Sequence, residues 1–173
     1  WYDSGVTASS SVTSPASGGA GTRYVCTYWT RTGSSPGSGG GTSAGNFTMS
    51  APTTVAWNWT TQYYLTVTSA YDAPTGAGWY DSGLAVSSSV TTPADEFGGT
   101  RYECTGWTGT GSAPPSGSTN TTGNFSITAP SSVTWNWTAQ YYLTVTSAYD
   151  TPTGAGWYDS GVTASSSVTS PAS

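Results

Sequence analysis

The chain has 173 residues, with three Arg, no Lys and no His against eight acidic residues, for a net charge of −5. Phosphate binding needs clustered Lys and Arg, so this balance argues against nucleic acid as a partner. Without His or Lys there is no Ser-His-Asp or Cys-His nucleophile, no His-ligated zinc and no Schiff base within these residues, and the chain does not read as an enzyme.

Charged residues are 6% of the chain, where ordinary soluble domains carry about 25%. Solubility therefore falls to Ser, Thr, Asn and Gly, or to groups attached to them. No apolar run approaches the ~20 residues of a membrane-spanning helix. Aligned without gaps at a shift of 78, residues 1–78 and 79–156 agree at 52 positions, and 157–173 begin a third copy. That stretch matches 1–17 at all 17 positions but differs from 79–95 at five. The expectation is an excerpt from a longer array whose copies alternate between two types. A fixed period implies one supersecondary unit in tandem, whose copies contact mainly their neighbours.

In chain order, Phe47, Met49 and Ala51 share one side of an extended segment. Strict alternation then runs through 55–68, with Trp57, Trp59, Thr61, Tyr63, Leu65 and Val67 inward, which marks a strand with one buried and one wet face. Turn residues fill 72–78 and 81–83. A Ser/Val-rich strand follows over 83–92, placing Leu84, Val86 and Val90 on one side, and 93–99 reads as a turn. Residues 100–108 carry Tyr102, Cys104 and Trp107, and Gly106 suggests a bulge that re-aims the Trp. The Gly/Ser/Pro-rich stretch 109–123 reads as a long turn. Residues 124–130 put Phe125, Ile127 and Ala129 on one side.

The alternation returns over 132–146, with Val133, Trp135, Trp137, Ala139, Tyr141, Leu143 and Val145 inward. Fifteen residues are long for one strand. This stretch is expected to be two strands end to end, joined near 138–140 with no flexible linker, so that the array resists bending. The predicted fold is all-β: a tandem array of small β modules of about five short strands each, grasp-like or sandwich-like. The expected divisions are the C-terminal part of one repeat at 1–60, a complete repeat at 61–138 and the N-terminal part of the next at 139–173.

Three motifs together resemble a known family. They are Tyr142-Leu-Thr-Val with Gly156-Trp-Tyr-Asp-Ser-Gly, Gly99-Thr-Arg-Tyr-Glu-Cys-Thr-Gly-Trp-Thr-Gly, and Phe125-Ser-Ile-Thr-Ala-Pro-Ser-Ser-Val-Thr-Trp-Asn-Trp. They are similar to the divergent internalin B-repeats of bacterial surface proteins. The resemblance implies an extracellular or cell-surface, mainly β, grasp-like unit used as a spacer or in adhesion. The chain departs from that pattern in its lack of Lys, its Trp-Asn-Trp ending and the insertion before Asn124.

Five Asn-x-Ser/Thr sequons, at Asn46, Asn58, Asn120, Asn124 and Asn136, are candidate glycosylation sites, and bulky hydrated sugar would supply the missing solubility. Trp79, at a turn, and Trp107, after a Gly, are candidates for stacking on carbohydrate; the other strand Trp read as core. Asp72, Asp81, Asp150 and Asp159 recur near turns, but calcium takes six to eight oxygens, so the pattern fits Asx-type turns better than a metal site. No cofactor is expected. Cys26 and Cys104 occupy the same phase, which excludes a disulfide within one copy. They read as buried small hydrophobes, with a link between chains as the alternative. The uncharged strand edges leave pairing between chains open, including donation of a strand from one unit to the next. The function expected is a structural repeat segment of a secreted or surface fibrous protein. The alternative is a carbohydrate-binding adhesive module using exposed Trp.

Overall fold

A computed structural model describes residues 1–169; the last four positions of the third copy lie outside them. Among the described residues no helix forms, and the fold is all-β with curled sheets. The chain order opens with β1 Thr7–Ser11, β2 Ala16–Ser17, β3 Thr22–Thr32, β4 Gly37–Gly40, β5 Ser43–Thr48, β6 Thr54–Thr68 and β7 Gly78–Asp81. It continues with β8 Ala85–Val86, β9 Ala94–Phe97, β10 Thr100–Thr110, β11 Ser116–Gly117, β12 Phe125–Ser126, β13 Ser131–Leu143 and β14 Gly156–Asp159. Two compact units result. The first comprises Trp1–Leu65, Gly78–Leu84 and Ser126–Ser131; the second comprises Thr66–Ala77, Ala85–Phe125 and the chain from Ser132 onward.

In the first unit β3 runs antiparallel to β6, from Thr22↔Tyr63 to Thr32↔Thr54. The edge strand β4 pairs with β3, and β7 pairs with β6. A separate small sheet joins β1 to β5. Ala8, Trp29, Ala44, Phe47 and Leu65 are buried. One buried polar group, Ser34, is fully engaged: its Oγ accepts from the amides of Ser50 and Ala51 and donates to the Ala51 carbonyl. That satisfies the requirement that a polar group taken from water be paired.

In the second unit β10 runs antiparallel to β13, from Thr100↔Tyr141 to Thr110↔Ser132. Strands β9 and β11 add to β10, and β14 adds to β13. Val86, Val90, Trp107, Phe125, Val133 and Trp135 are buried. Trp107 meets Trp135 edge-on, with centroids 6.5 Å apart. The indole of Trp135 donates to Ser88 Oγ at 3.3 Å, and this buried hydroxyl donates in turn to the Thr75 carbonyl at 2.8 Å.

Several expectations change. The long alternating stretch is one strand in each copy, since β13 stays paired to β10 through Glu103↔Thr138 and Arg101↔Gln140. Its inward parity holds at Val133 and Trp135, fades to half-buried at Trp137 and is lost at Tyr141, which is exposed. Of the expected 83–92 strand only β8 forms; Val86 and Val90 are buried, while Leu84 lies outside. The predicted turn 93–99 contains β9.

The bulge is present, between Cys104 and Gly106, but it recurs between Cys26 and Tyr28, where no Gly stands. Gly106 is needed for another reason. Its φ is +126°, and a Cβ there would lie 2.1 Å from the Gly117 carbonyl oxygen, so only Gly lets β11 approach. Far from being a plain loop, the low-complexity insertion lays β11 over Trp107, as β4 lies over Trp29.

Candidate functional site

The most fully built side-chain constellation occurs twice. In the first unit Arg23 on β3, Gln62 on β6 and Asp81 on β7 stand directly opposite one another across three strands. Cross-strand neighbours at such positions have Cβ atoms about 5 Å apart, which suits the span of a Gln amide. Arg23 Nε donates to Gln62 Oε1 at 2.7 Å, and Gln62 Nε2 donates to Asp81 Oδ1 at 2.8 Å. The amide thus sits as an oriented dipole between a cation and a carboxylate. The Arg23 guanidinium also lies 4.4 Å from the centroid of Trp79, whose edge meets Tyr64 at 5.2 Å.

The second unit repeats this with Arg101, Gln140 and Asp159 at 2.8 and 2.7 Å, Arg101 at 4.4 Å from Trp157, and Tyr142 at 5.2 Å from the same ring. A cation–π contact at an exposed site contributes about 0.5–1 kcal/mol. Wet hydrogen bonds to charged groups add about 0.5–1.5 kcal/mol each. Each clasp therefore stabilises its three strands by about 1.5–4 kcal/mol. Chemically it ties three strands together and fixes their register.

A second aromatic arrangement occupies the second unit. Tyr71 stacks on Tyr102 with centroids 3.5 Å apart and planes 10° apart, and meets Trp137 edge-on at 6.0 Å. Trp137 Nε1 donates to Ser69 Oγ at 3.0 Å, and this hydroxyl donates to the Tyr71 carbonyl. The hydrogen bond with the Tyr71 side chain raises the pKa of the Tyr102 phenol above its ordinary value.

No family model, curated protein or solved structure matches the chain.

The residues singled out from sequence fall in different places. Asn46, Asn120, Asn124 and Asn136 are exposed and Asn58 is half-buried. Asn120 Nδ2, the atom a glycan would occupy, donates to the Val90 carbonyl at 3.2 Å. Trp107 is 4% exposed and presents no face for a sugar, because β11 covers it. Trp79 is half-buried, with Arg23 over its ring. Trp59, read as core, is 38% exposed.

The four aspartates do not converge: among the described residues no three His, Cys, Asp or Glu side chains gather as a metal site. Asp81 and Asp159 complete the clasps. Asp72 and Asp150 accept from the amides of Thr91 and Thr169, each at 2.5 Å, which pins the loops between them. Cys26 is buried and Cys104 half-buried, and both are free thiols. Desolvation raises the Cys104 pKa above its ordinary value.

Sequence reasoning missed the clasp and the Tyr71 seat. The signal was available: Arg, Gln, Asp, Trp and Tyr recur at the same 78-residue phase, yet Gln62 and Gln140 look like ordinary wet-face residues.

Proposed function

We propose that this chain is a structural repeat segment of a secreted or cell-surface fibrous protein, a tandem array of small β modules forming a stiff, glycosylated filament shaft or adhesin stalk. The observation that carries this reading is the duplicated clasp: the same five side-chain types, 78 residues apart, with matching distances. Such repetition supports one unit copied for length, which is how solenoid and array proteins are built. Strand β6 runs 15 residues without Gly or Pro, and this favours stiffness over the swing of a Gly/Ser linker.

The likeness of the motifs to internalin B-repeats and the near-absence of charge support an extracellular, sugar-coated setting. Its partners are neighbouring repeats of the same chain, other copies in a fibre, and attached glycans. Electron microscopy of native material carrying this sequence tests the proposal: unbranched threads or rods are expected, and isolated compact particles would refute it. The carbohydrate-binding alternative now depends on Trp79 alone of its two candidates. Glycan-array binding abolished by Trp79→Ala would favour it over the shaft.

A further inference from the structure

Two phenols lie in reactive contact inside the second unit. The rings of Tyr71 and Tyr102 have centroids 3.5 Å apart and planes within 10° of parallel, and their side chains share a hydrogen bond. That bond sets the rings hydroxyl over hydroxyl, so the ortho carbons flanking each C–O lie at the same end of the stack. Both residues are half-buried. They belong, with every group that holds them, to that one unit.

The pair is fixed from both sides. Two residues before Tyr71, Ser69 Oγ accepts from Trp137 Nε1 at 3.0 Å; one residue after it, Asp72 accepts from the Thr91 amide at 2.5 Å. Trp137 also meets the Tyr71 ring edge-on. On β10, Tyr102 stands between Ala94 of β9 and Ala139 of β13, whose small side chains leave room for the second ring. Two reactants held this close in one orientation react as a single molecule, which raises the rate by orders of magnitude.

We propose that Tyr71 and Tyr102 form a site of oxidative coupling, joined through their ortho carbons when a haem peroxidase with hydrogen peroxide acts on the protein. Each phenol gives up one electron and its hydroxyl proton and becomes a neutral phenoxyl radical, whose unpaired electron resides partly on the ortho carbons. Stacking turns the p orbitals of those carbons toward each other, the direction in which the new carbon–carbon bond forms. The two ortho hydrogens then leave as protons and both oxygens regain protons, restoring the phenols. Overall, the two electrons and two protons removed convert one hydrogen peroxide into two waters. The product ties the segment after β6 to β10 and closes the chain between them into a covalent loop, lowering the entropy of the unfolded state. The inference goes beyond the shaft reading and does not rest on it.

Treating the 173-residue chain with peroxidase and limiting hydrogen peroxide tests it, read by dityrosine fluorescence and peptide mass spectrometry. Monomeric product is isolated first, because exposed phenols such as Tyr28 and Tyr141 can couple between molecules. Cleavage after Arg101 parts Tyr71 from Tyr102, so the bond appears as two tryptic peptides joined with the loss of two hydrogens, and fragmentation assigns the residues. The monomer is expected to carry this link at a yield that does not change with protein concentration. Tyr71→Phe and Tyr102→Phe, which keep the ring, should each lower the yield about tenfold or more, as should unfolding in urea. Tyr28→Phe should leave it unchanged. An oxidised monomer without the link, a link mapped to other tyrosines, or a Tyr71→Phe variant that couples like its parent would overturn the proposal. Mapping on the unaltered chain decides the matter even where a variant fails to fold.

Discussion

Substituting Gly117 by Ala measures how firmly the glycine-rich insertion seals Trp107. A Cβ at Gly117 would lie 2.7 Å from Cε2 and Nε1 of that indole and 2.8 Å from Cζ2. Trp107 cannot give way, because it is 4% exposed and backed by Trp135. Overpacking of this kind costs about 1–3 kcal/mol. Gly→Ala also removes unfolded-state freedom, worth about 0.4–1 kcal/mol of stabilisation where the backbone is compatible. The net loss is then about 1–2 kcal/mol, a fall in melting temperature of about 3–6 °C for a chain of this size.

Two further positions grade the effect. Gly39 offers 3.0 Å to Trp29, so Ala there should cost less. Gly37 has nothing nearer than 3.9 Å, so Ala there should be neutral or mildly stabilising. Thermal unfolding followed by tryptophan fluorescence reads all three. A Gly117→Ala variant as stable as its parent would refute the reasoning, because β11 could not then lie on Trp107.

Removing the clasp's centre with Gln140→Ala should destabilise by about 1–2 kcal/mol in urea unfolding. Arg101→Lys should fail to preserve stability, since an ammonium cannot both stack and donate in plane as a guanidinium does. Tyr102 is expected to ionise above the ordinary phenol range in an alkaline absorbance titration, and Tyr71→Phe should lower its pKa towards that range. Its folded pKa is raised, so its contribution to stability is intact below the ordinary phenol range and is lost as pH rises through the raised value. Glycopeptide mass spectrometry should find sugar on Asn46, Asn124 and Asn136 and none on Asn120, whose Nδ2 is engaged; sugar on Asn120 would contradict that assignment.

How much of this was readable beforehand depends on which force set each element. Alternating aromatic and β-branched residues write β6 and β13 into the chain, because burial of one face fixes a period of two. The buried Phe125 and Ile127 follow from the same rule. Strand β4, with three Gly in four residues, carries no such mark. Its place is set by the flat indole of Trp29 above it, a tertiary demand that local propensity does not record. Strand β11 is hidden for the same reason.

Trp59 fits the inward parity yet stays exposed, because parity states which way a side chain points and not whether anything covers it. Covering Trp137 falls to Ser69 and Tyr71, more than sixty residues away in sequence. The clasps lay within reach of sequence reading, since five residue types share one phase. Their geometry needed the register of three strands.

We propose that successive copies join without a hinge, and the shaft reading depends on it. Small-angle X-ray scattering on polypeptides of two, four and six copies tests it most directly. A stiff array predicts a radius of gyration that grows in proportion to copy number. Growth closer to the square root of copy number, as freely jointed beads would give, would contradict it.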